Sequence, residues 1–392
     1  MSVTAPRGFR AAGVMAGLKT SRDPDVAVVL NDGPSRSAAA VFTSNRVQAA
    51  PVTWTRQVVG GGRVQAVVLN SGGANACTGP AGFQDTHATA EHLAAAITAC
   101  SKDGTEASAG EMAVCSTGLI GERLPMDKLL LGVDAAVTEA SRAGGLAAAD
   151  AIRTTDTVVK IAFRRGERGY TVGGMAKGAG MLAPALATML CVLTTDADIP
   201  PAELDSALRS ATAVTFDRLD TDGCMSTNDT VLLMASGAAG VTPDHRDFTE
   251  TLTEVCADLA RQLQLDAEGA EKMITIEVVG AASEADAVTV GRAVARNDLL
   301  KCAIGGADPN WGRVLAAVGT TDAVFSPYRL NVAINGIWVC RHGAPGDDRS
   351  RVDLKPKDVT ITVDLSAGPH SAIILTTDLT AAYVHENSAY ST

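Results

Sequence analysis

Short apolar runs rich in β-branched residues, each closed by a polar turn cluster, alternate along the chain with segments of helical periodicity. Val26–Leu30 and Val64–Leu69 read as buried strands, ended by Asn31-Asp32-Gly33 and by Asn70-Ser71-Gly72-Gly73. Asp85–Cys100 is Ala-rich with Leu93 and Ile97 four apart, and in Thr251–Leu263 the side chains of Leu252, Val255, Cys256, Leu259 and Leu263 share one face, so two helices are predicted. The alternation Ile274-Thr275-Ile276-Glu277-Val278 predicts a strand. Ser283-Glu284-Ala285-Asp286 then has the form of an N-cap opening a helix through Arg296. Nearer the end, Asn331–Ile334 and Ile337–Cys340 flank Asn335-Gly336, a type I′ hairpin signal because both central residues of that turn take positive φ. Val359–Leu365 and Ala372–Thr376 add two strands, and Gly343–Arg351 reads as an exposed loop. The order is α/β or α+β, with a β-rich C-terminal third.

Composition narrows the function classes. The 392 residues are 46% apolar and 20% charged, a globular balance, and the length suits two or three domains. Aromatics are only 4% and the net charge is −11 with no basic patch, which excludes a stacking platform or electrostatic grip for nucleic acid or anionic lipid. Met181–Leu193 is interrupted by Pro184 and Thr188 and falls short of the ~20 apolar residues of a membrane span. Met1–Arg10 carries no leader-like apolar run, so a soluble, cytoplasmic protein is expected. The eight cysteines have no C-x-x-C spacing and are expected mostly as buried small hydrophobes. His87 and His92 stand five apart, off a common helix face, so neither a metal nor any other cofactor is expected.

The chemically informative stretch runs from Gly173 to Leu190. Gly173, Gly174, Gly178 and Gly180 disfavour a helix, and Pro184 restricts Ala183 to extended geometry. Thr188–Thr194 is an apolar strand pattern, so the segment reads as a loop feeding a buried strand. It is not a phosphate-binding Walker loop, because Lys177 precedes Gly178 instead of following the last glycine. Met112–Cys115 reads as a short strand that ends at Ser116-Thr117-Gly118. Taken alone, these patterns favour an ordinary glycine loop before a core strand and an ordinary strand-ending turn.

Resemblance adds specificity. Lys177-Gly178-Ala179-Gly180-Met181, Ala183-Pro184 and Ala187-Thr188-Met189-Leu190 closely resemble the self-cleavage segment of the ornithine acetyltransferase (glutamate N-acetyltransferase) family. Other family-like segments follow in the right order over nearly the whole chain: Asn70–Gly79, Cys115–Gly121, Thr154-Thr155-Asp156-Thr157, Ser226-Thr227-Asn228-Asp229-Thr230, Asp266-Ala267-Glu268-Gly269, Asp308–Arg313 and Glu386–Thr392. Ala185 and Cys224-Met225 depart from the pattern, the first replacing an Asn and the pair replacing Asp-Thr.

The resemblance implies an α/β fold, a layered α/β/β/α-type sandwich with a smaller C-terminal α/β domain over roughly 280–392. It implies self-cleavage between Ala187 and Thr188 into a fragment 1–187 and a fragment 188–392. It further implies transfer of acetyl from N2-acetyl-L-ornithine to L-glutamate by a ping-pong route in arginine biosynthesis. The chemistry is coherent: a threonine hydroxyl needs a base, and the α-amine freed on Thr188, with a reference pKa near 8, supplies one on the same residue. Thr117 and Gly118 are implied as oxyanion-hole donors. Substrate contacts are implied for Thr154 or Thr155, Lys177, Thr188, Glu268, Asn387 and Thr392. The implied partners are the two small-molecule substrates and the chain's own cleaved fragment, in a heterotetramer of two copies of each fragment. Exchange of one amide for another requires no cofactor. Three alternatives stay open: an enzyme that also acetylates glutamate from acetyl-CoA, a secondary-metabolite relative acting on similar amino acids, and a self-processing amidohydrolase or aminopeptidase. A non-enzymatic binding module would instead remain an uncut chain.

Overall fold

A computed structural model describes residues 2–101, 104, 106–182 and 189–389. Two sheets lie at its centre. The first orders the strands Phe9–Val14, Val26–Asn31, Ala66–Gly73 and Met112–Leu119, the last pair parallel. The second orders Ser37–Phe42, Thr230–Ala235, Leu190–Thr195, Thr171–Lys177 and Lys160–Arg165, with Leu190–Thr195 and Thr230–Ala235 parallel.

The side-chain period of two, with both faces of each sheet covered, explains why most of these strands read as near-continuous apolar runs. In the second sheet Leu190, Val192 and Leu232 join Val29, Leu69 and Cys115 of the first in one buried cluster between the sheets. Their neighbours Cys191, Leu193, Val231 and Leu233 face the opposite way, under the helices Pro201–Ala213 and His245–Leu265. The outer face of the first sheet, with Val28, Val68 and Val114, is likewise covered by Gly79–Cys100 and Met126–Glu139. The layers are therefore α/β/β/α, as the family resemblance implies.

A third sheet runs in the order Ala344–Pro345, Ile337–Arg341, Asn331–Ile334, Asp358–Asp364, Met273–Ala281, His370–Thr377. Ile274, Ile276 and Val278 point into a separate core shared with the helices Glu284–Ala295, Asp298–Gly305 and Trp311–Val318. Ser283 caps the first of these by accepting the N–H of Asp286 at 3.1 Å. Asn335 and Gly336 have φ 47° and 79°, so the hairpin turn takes the mirror-image conformation expected of this dipeptide.

Three expectations change. The predicted loop at Gly173–Lys177 is strand, because close packing demands glycine there: a Cβ would lie 2.2 Å from the Ser2 carbonyl oxygen at Gly173 and 2.8 Å from Leu193 Cδ2 at Gly174. The strand at Met112 continues to Leu119, so Thr117 and Gly118 lie inside it and not at the turn after it. Only Cys115, Cys191, Cys256 and Cys340 are buried, while Cys77, Cys100, Cys224 and Cys302 are exposed. No helix among the described residues is long and apolar enough to cross a membrane.

Leu259 is fully buried under the second sheet, whereas Leu265 at the end of the same helix is 43% exposed. Leu259→Ala should cost about 2–5 kcal/mol of stability in denaturant unfolding, and Leu265→Ala less than about 1 kcal/mol.

Candidate active site

Strand register gathers the site at one end of the second sheet. Lys177 pairs with Leu190 and Leu190 with Thr230, so Gly178, Met189 and Asp229, each one residue beyond these strand ends, are neighbours. Asp229 is fully buried, and its Oδ1 accepts the N–H of Met189 at 3.0 Å. Its Oδ2 has no hydrogen-bond partner among the described residues, and burial pushes its pKa well above the ordinary carboxylate range.

A second carboxylate organises the other side. Asp156 Oδ1 accepts from Lys160 Nζ at 2.6 Å and from the Gly178 N–H at 2.6 Å, while Oδ2 accepts the Thr154 N–H at 3.0 Å and lies 3.9 Å from Lys177 Nζ. Burial acts to raise its pKa. The charges of Lys177 and Lys160 and the Gly178 N–H outweigh burial and hold it at about 2. Lys160 is anchored from behind by Asp266 Oδ2 at 2.5 Å, just beyond the helix His245–Leu265. Lys177, 2% exposed, places Nζ 3.5 Å from Thr117 Oγ1, and burial lowers its pKa against the opposing pull of Asp156.

Thr117, Gly118, Thr154, Met181, Ser226 and Asn228 border a cavity of about 450 Å³. Gly118 has φ 127°, and a Cβ there would stand 2.5 Å from Gly72 C, so no other residue fits the irregular pairing of the two strands. Asn228 ties the cavity wall together by donating from Nδ2 to the carbonyl oxygens of Ala74 at 2.7 Å and Ser116 at 2.8 Å.

Of the residues singled out from sequence, Thr117, Gly118, Thr154 and Lys177 thus converge. Thr154 borders the cavity, and Thr155 is not among its lining residues. Glu268 and Asn387 meet each other, with Asn387 Nδ2 donating to Glu268 Oε2 at 3.0 Å, and the Glu268 N–H bonds the Ala179 carbonyl at 2.9 Å. A Cβ at Gly180 would stand 2.4 Å from Glu268 Oε2, so the glycine loop lies against this carboxylate. Ala187, Thr188 and Thr392 lie outside the described residues, as does Ala185. Of Asp308–Arg313, the first three residues lead into the helix Trp311–Val318, with Asn310 Nδ2 donating to Asp308 Oδ2 at 2.9 Å, and the last three form its first turn instead of the expected structural turn. Sequence reasoning gave no role to Asp156, Asn228 or Asp229, although each stands in a family-like segment. The described residues contain no cluster of three potential metal ligands.

Comparison with known proteins shows which family the chain matches. The ArgJ family profile matches residues 10–392. The arginine biosynthesis bifunctional protein ArgJ of Thermobifida fusca is 73% identical over 392 residues, covering all of both chains. The protein of that name from Streptomyces coelicolor is 65% identical over 391 residues, again spanning both chains. Among solved structures, the ornithine acetyltransferase of Mycobacterium tuberculosis in complex with ornithine is 63% identical. It covers 47% of this chain and 94% of its own, with a TM-score of 0.45.

The low pKa of Asp156 sets a pH window. Its stabilising effect is complete above the ordinary value of 3.8 and is lost as the pH falls through about 2. The stability difference between wild type and Asp156→Asn, from denaturant unfolding, should therefore hold steady above pH 4 and narrow between about pH 4 and 2. A difference that stays constant down to the acid limit contradicts the charge assignment.

Proposed function

The chain belongs to the ArgJ family, and from that premise we propose that it moves acetyl from N2-acetyl-L-ornithine to L-glutamate through an ester on Thr188, after cutting itself between Ala187 and Thr188. It is an enzyme of arginine biosynthesis. The observation that carries the reading is the convergence of Thr117, Gly118 and Thr154 around one cavity, with buried Lys177 against Thr117, beside the two described flanks of the cleavage segment. Met181 borders that cavity, and Met189, one peptide bond from Thr188, is held by Asp229.

In the precursor, Thr188 Oγ attacks the Ala187 carbonyl carbon. The Oγ–C bond forms as the C–N bond to Thr188 breaks, and the hydroxyl proton passes to the departing nitrogen. Water then opens the ester, leaving a carboxylate on Ala187 and a free amine and hydroxyl on Thr188. In the mature enzyme that amine takes the Oγ proton while Oγ attacks the acetyl carbonyl of acetylornithine. Ornithine leaves with a proton, and the glutamate amine later collects the acetyl group. Thr117 and Gly118 donate to the oxyanion of each tetrahedral intermediate, and preorganised donors of this kind are commonly worth about 3 kcal/mol each.

Lys177 supplies fixed positive charge to this site. Glu268, already joined to Asn387, is placed to receive the ornithine side-chain ammonium, with Thr392 completing the tail contacts. The fragments 1–187 and 188–392 are proposed to stay associated, because Thr171–Lys177 pairs with Leu190–Thr195 and Ser37–Phe42 with Thr230–Ala235 across the cut. A cytoplasmic heterotetramer, two copies of each fragment, belongs to the same proposal.

The word bifunctional in the relatives' names favours a second activity, glutamate acetylation from acetyl-CoA. Supplying acetyl-CoA and glutamate without acetylornithine tests it. Acetylornithine alone tests the hydrolase alternative, since rapid multiple-turnover release of ornithine without glutamate would overturn the transferase reading.

Wild-type protein should run as two fragments on a denaturing gel, and Thr188→Ala as one uncut chain whose acetyl transfer is lower by at least about 10³-fold. An uncut wild type of full activity would remove the proposal.

A further inference from the structure

Residues 183–188 lie between Leu182 and Met189, and both of these neighbours are tied to one stretch of chain, Thr221–Thr230. Before the cut, the Leu182 carbonyl accepts the Thr221 N–H and, at 3.1 Å, the Thr221 hydroxyl. After it, Asp229 holds the Met189 N–H, and the Met189 carbonyl accepts the Thr230 N–H at 3.2 Å. Met181, one residue upstream, has φ 54°, a left-handed conformation that a non-glycine residue keeps only where its surroundings impose it. Asp222 is part of those surroundings. Burial raises the pKa of its carboxyl, against the pull of the Cys224 and Met181 N–H groups, the charge of Lys301 and the Leu182 N–H.

The support for this stretch comes from the core beneath the third sheet. Lys301, in the helix Asp298–Gly305, is only 4% exposed, and its Nζ donates to the Thr221 carbonyl oxygen. Leu300 and Ile304 of the same helix are packed into that core, so the lysine projects from a fixed base. A buried ammonium is costly unless its charge is answered. Burial lowers the pKa of Lys301, and the charges of Asp222 and Asp220 oppose it. The line of contacts runs from Lys301 to the Thr221 carbonyl, and from the Thr221 N–H and hydroxyl to the Leu182 carbonyl. We propose that Lys301 is a positioning residue for self-cleavage, holding Thr221 and through it Leu182, so that the segment carrying the Ala187–Thr188 bond is presented to its own nucleophile. This inference rests on the reading of Thr188 as the self-cleaving residue. Tying both ends of a short segment removes much of the conformational freedom that an intramolecular attack must otherwise overcome. Once the bond is cut, Thr188 remains joined to Met189 and its Asp229 anchor, whereas Lys301 holds only the end of the other fragment. Acetyl transfer therefore depends on Lys301 far less than self-cleavage does.

Full-length chains made by cell-free synthesis and chased on denaturing gels give the self-cleavage rate, and kcat and KM for acetylornithine, expressed per cleaved molecule, give transfer. Lys301→Met should slow self-cleavage by about tenfold. Its kcat and KM per cleaved molecule should stay within about threefold of wild type. Thr221→Val, which keeps the backbone bond and loses the hydroxyl, should slow cleavage by about fivefold. In the double variant the two effects should fall short of multiplying, because both act through the Leu182 carbonyl. Val314→Ala loosens the same core without touching Thr221, and should lower stability in denaturant unfolding while leaving the cleavage rate within about twofold. Cleavage of Lys301→Met at the wild-type rate, transfer that falls in step with cleavage, effects that multiply in the double variant, or an equal slowing in Val314→Ala would overturn the inference and leave the self-cleavage reading standing. A wild-type chain that stays uncut removes that reading and the inference with it. Should Lys301→Met fail to fold, Lys301→Gln, uncharged and one atom shorter, takes its place with the same outcomes.

Discussion

A carboxylate withdrawn completely from water survives only if cations and N–H donors replace its hydration. At Asp156 that constraint is met by Lys160, Lys177 and the N–H groups of Thr154 and Gly178, which enter from the loop before Asp156, from the start of one strand and from the end of its neighbour. Lys160 opens one strand of the second sheet and Lys177 closes its neighbour, so the carboxylate fixes two strand ends together. Thr154 and Gly178 belong to the loops outside those ends, and their backbone is fixed with them. Through Lys160 and Asp266 the same network reaches the helix His245–Leu265, whose Gln264 bonds the carbonyls of Ile274 and Thr376 in the third sheet.

The sandwich turns this local constraint into a site. Its two central sheets pack apolar clusters on both faces, so neither can shift its register without exposing apolar side chains. The end of Met112–Leu119 in one sheet is thereby held against the ends of Thr171–Lys177 and Leu190–Thr195 in the other. Gly118 allows its strand to approach Gly72 and Gly73 of the neighbouring strand where any side chain would collide. Asp229 performs the matching task on the far side by gripping the backbone of Met189. Buried Lys177 brings positive charge to a region crowded with carboxylates without opening it to solvent.

Most of the architecture could be read from periodicity because burial repeats along it. Leu252, Val255, Cys256, Leu259 and Leu263 form a stripe at helical spacing, and all five are buried under one sheet. Asn335-Gly336 fixed a hairpin by its φ requirement alone. The glycines at 173 and 174 carry the local signature of loop formers, yet they stand in a strand and admit Ser2 and Leu193. Such contacts join residues far apart in the chain and leave no periodic mark. The same holds for the site. Thr117, Gly118, Lys177, Glu268 and Asn387 were found through family resemblance, and the chain's own pattern offered only a glycine-rich stretch before a strand. Asp156, Asn228 and Asp229 went unassigned because a polar residue in a loop has the same local signature whether it is solvated or, as here, buried and holding backbone in place.

The central claim is that the acetyl group rests on Thr188 between the two half-reactions. Mixing the enzyme with acetylornithine alone, quenching in acid within one turnover and mapping acetylated peptides by mass spectrometry examines it directly. The account predicts one acetyl group, on the peptide that begins at Thr188, and its disappearance when glutamate is added before the quench. Acetyl found on another residue, or transfer to glutamate with Thr188 never modified, would contradict it.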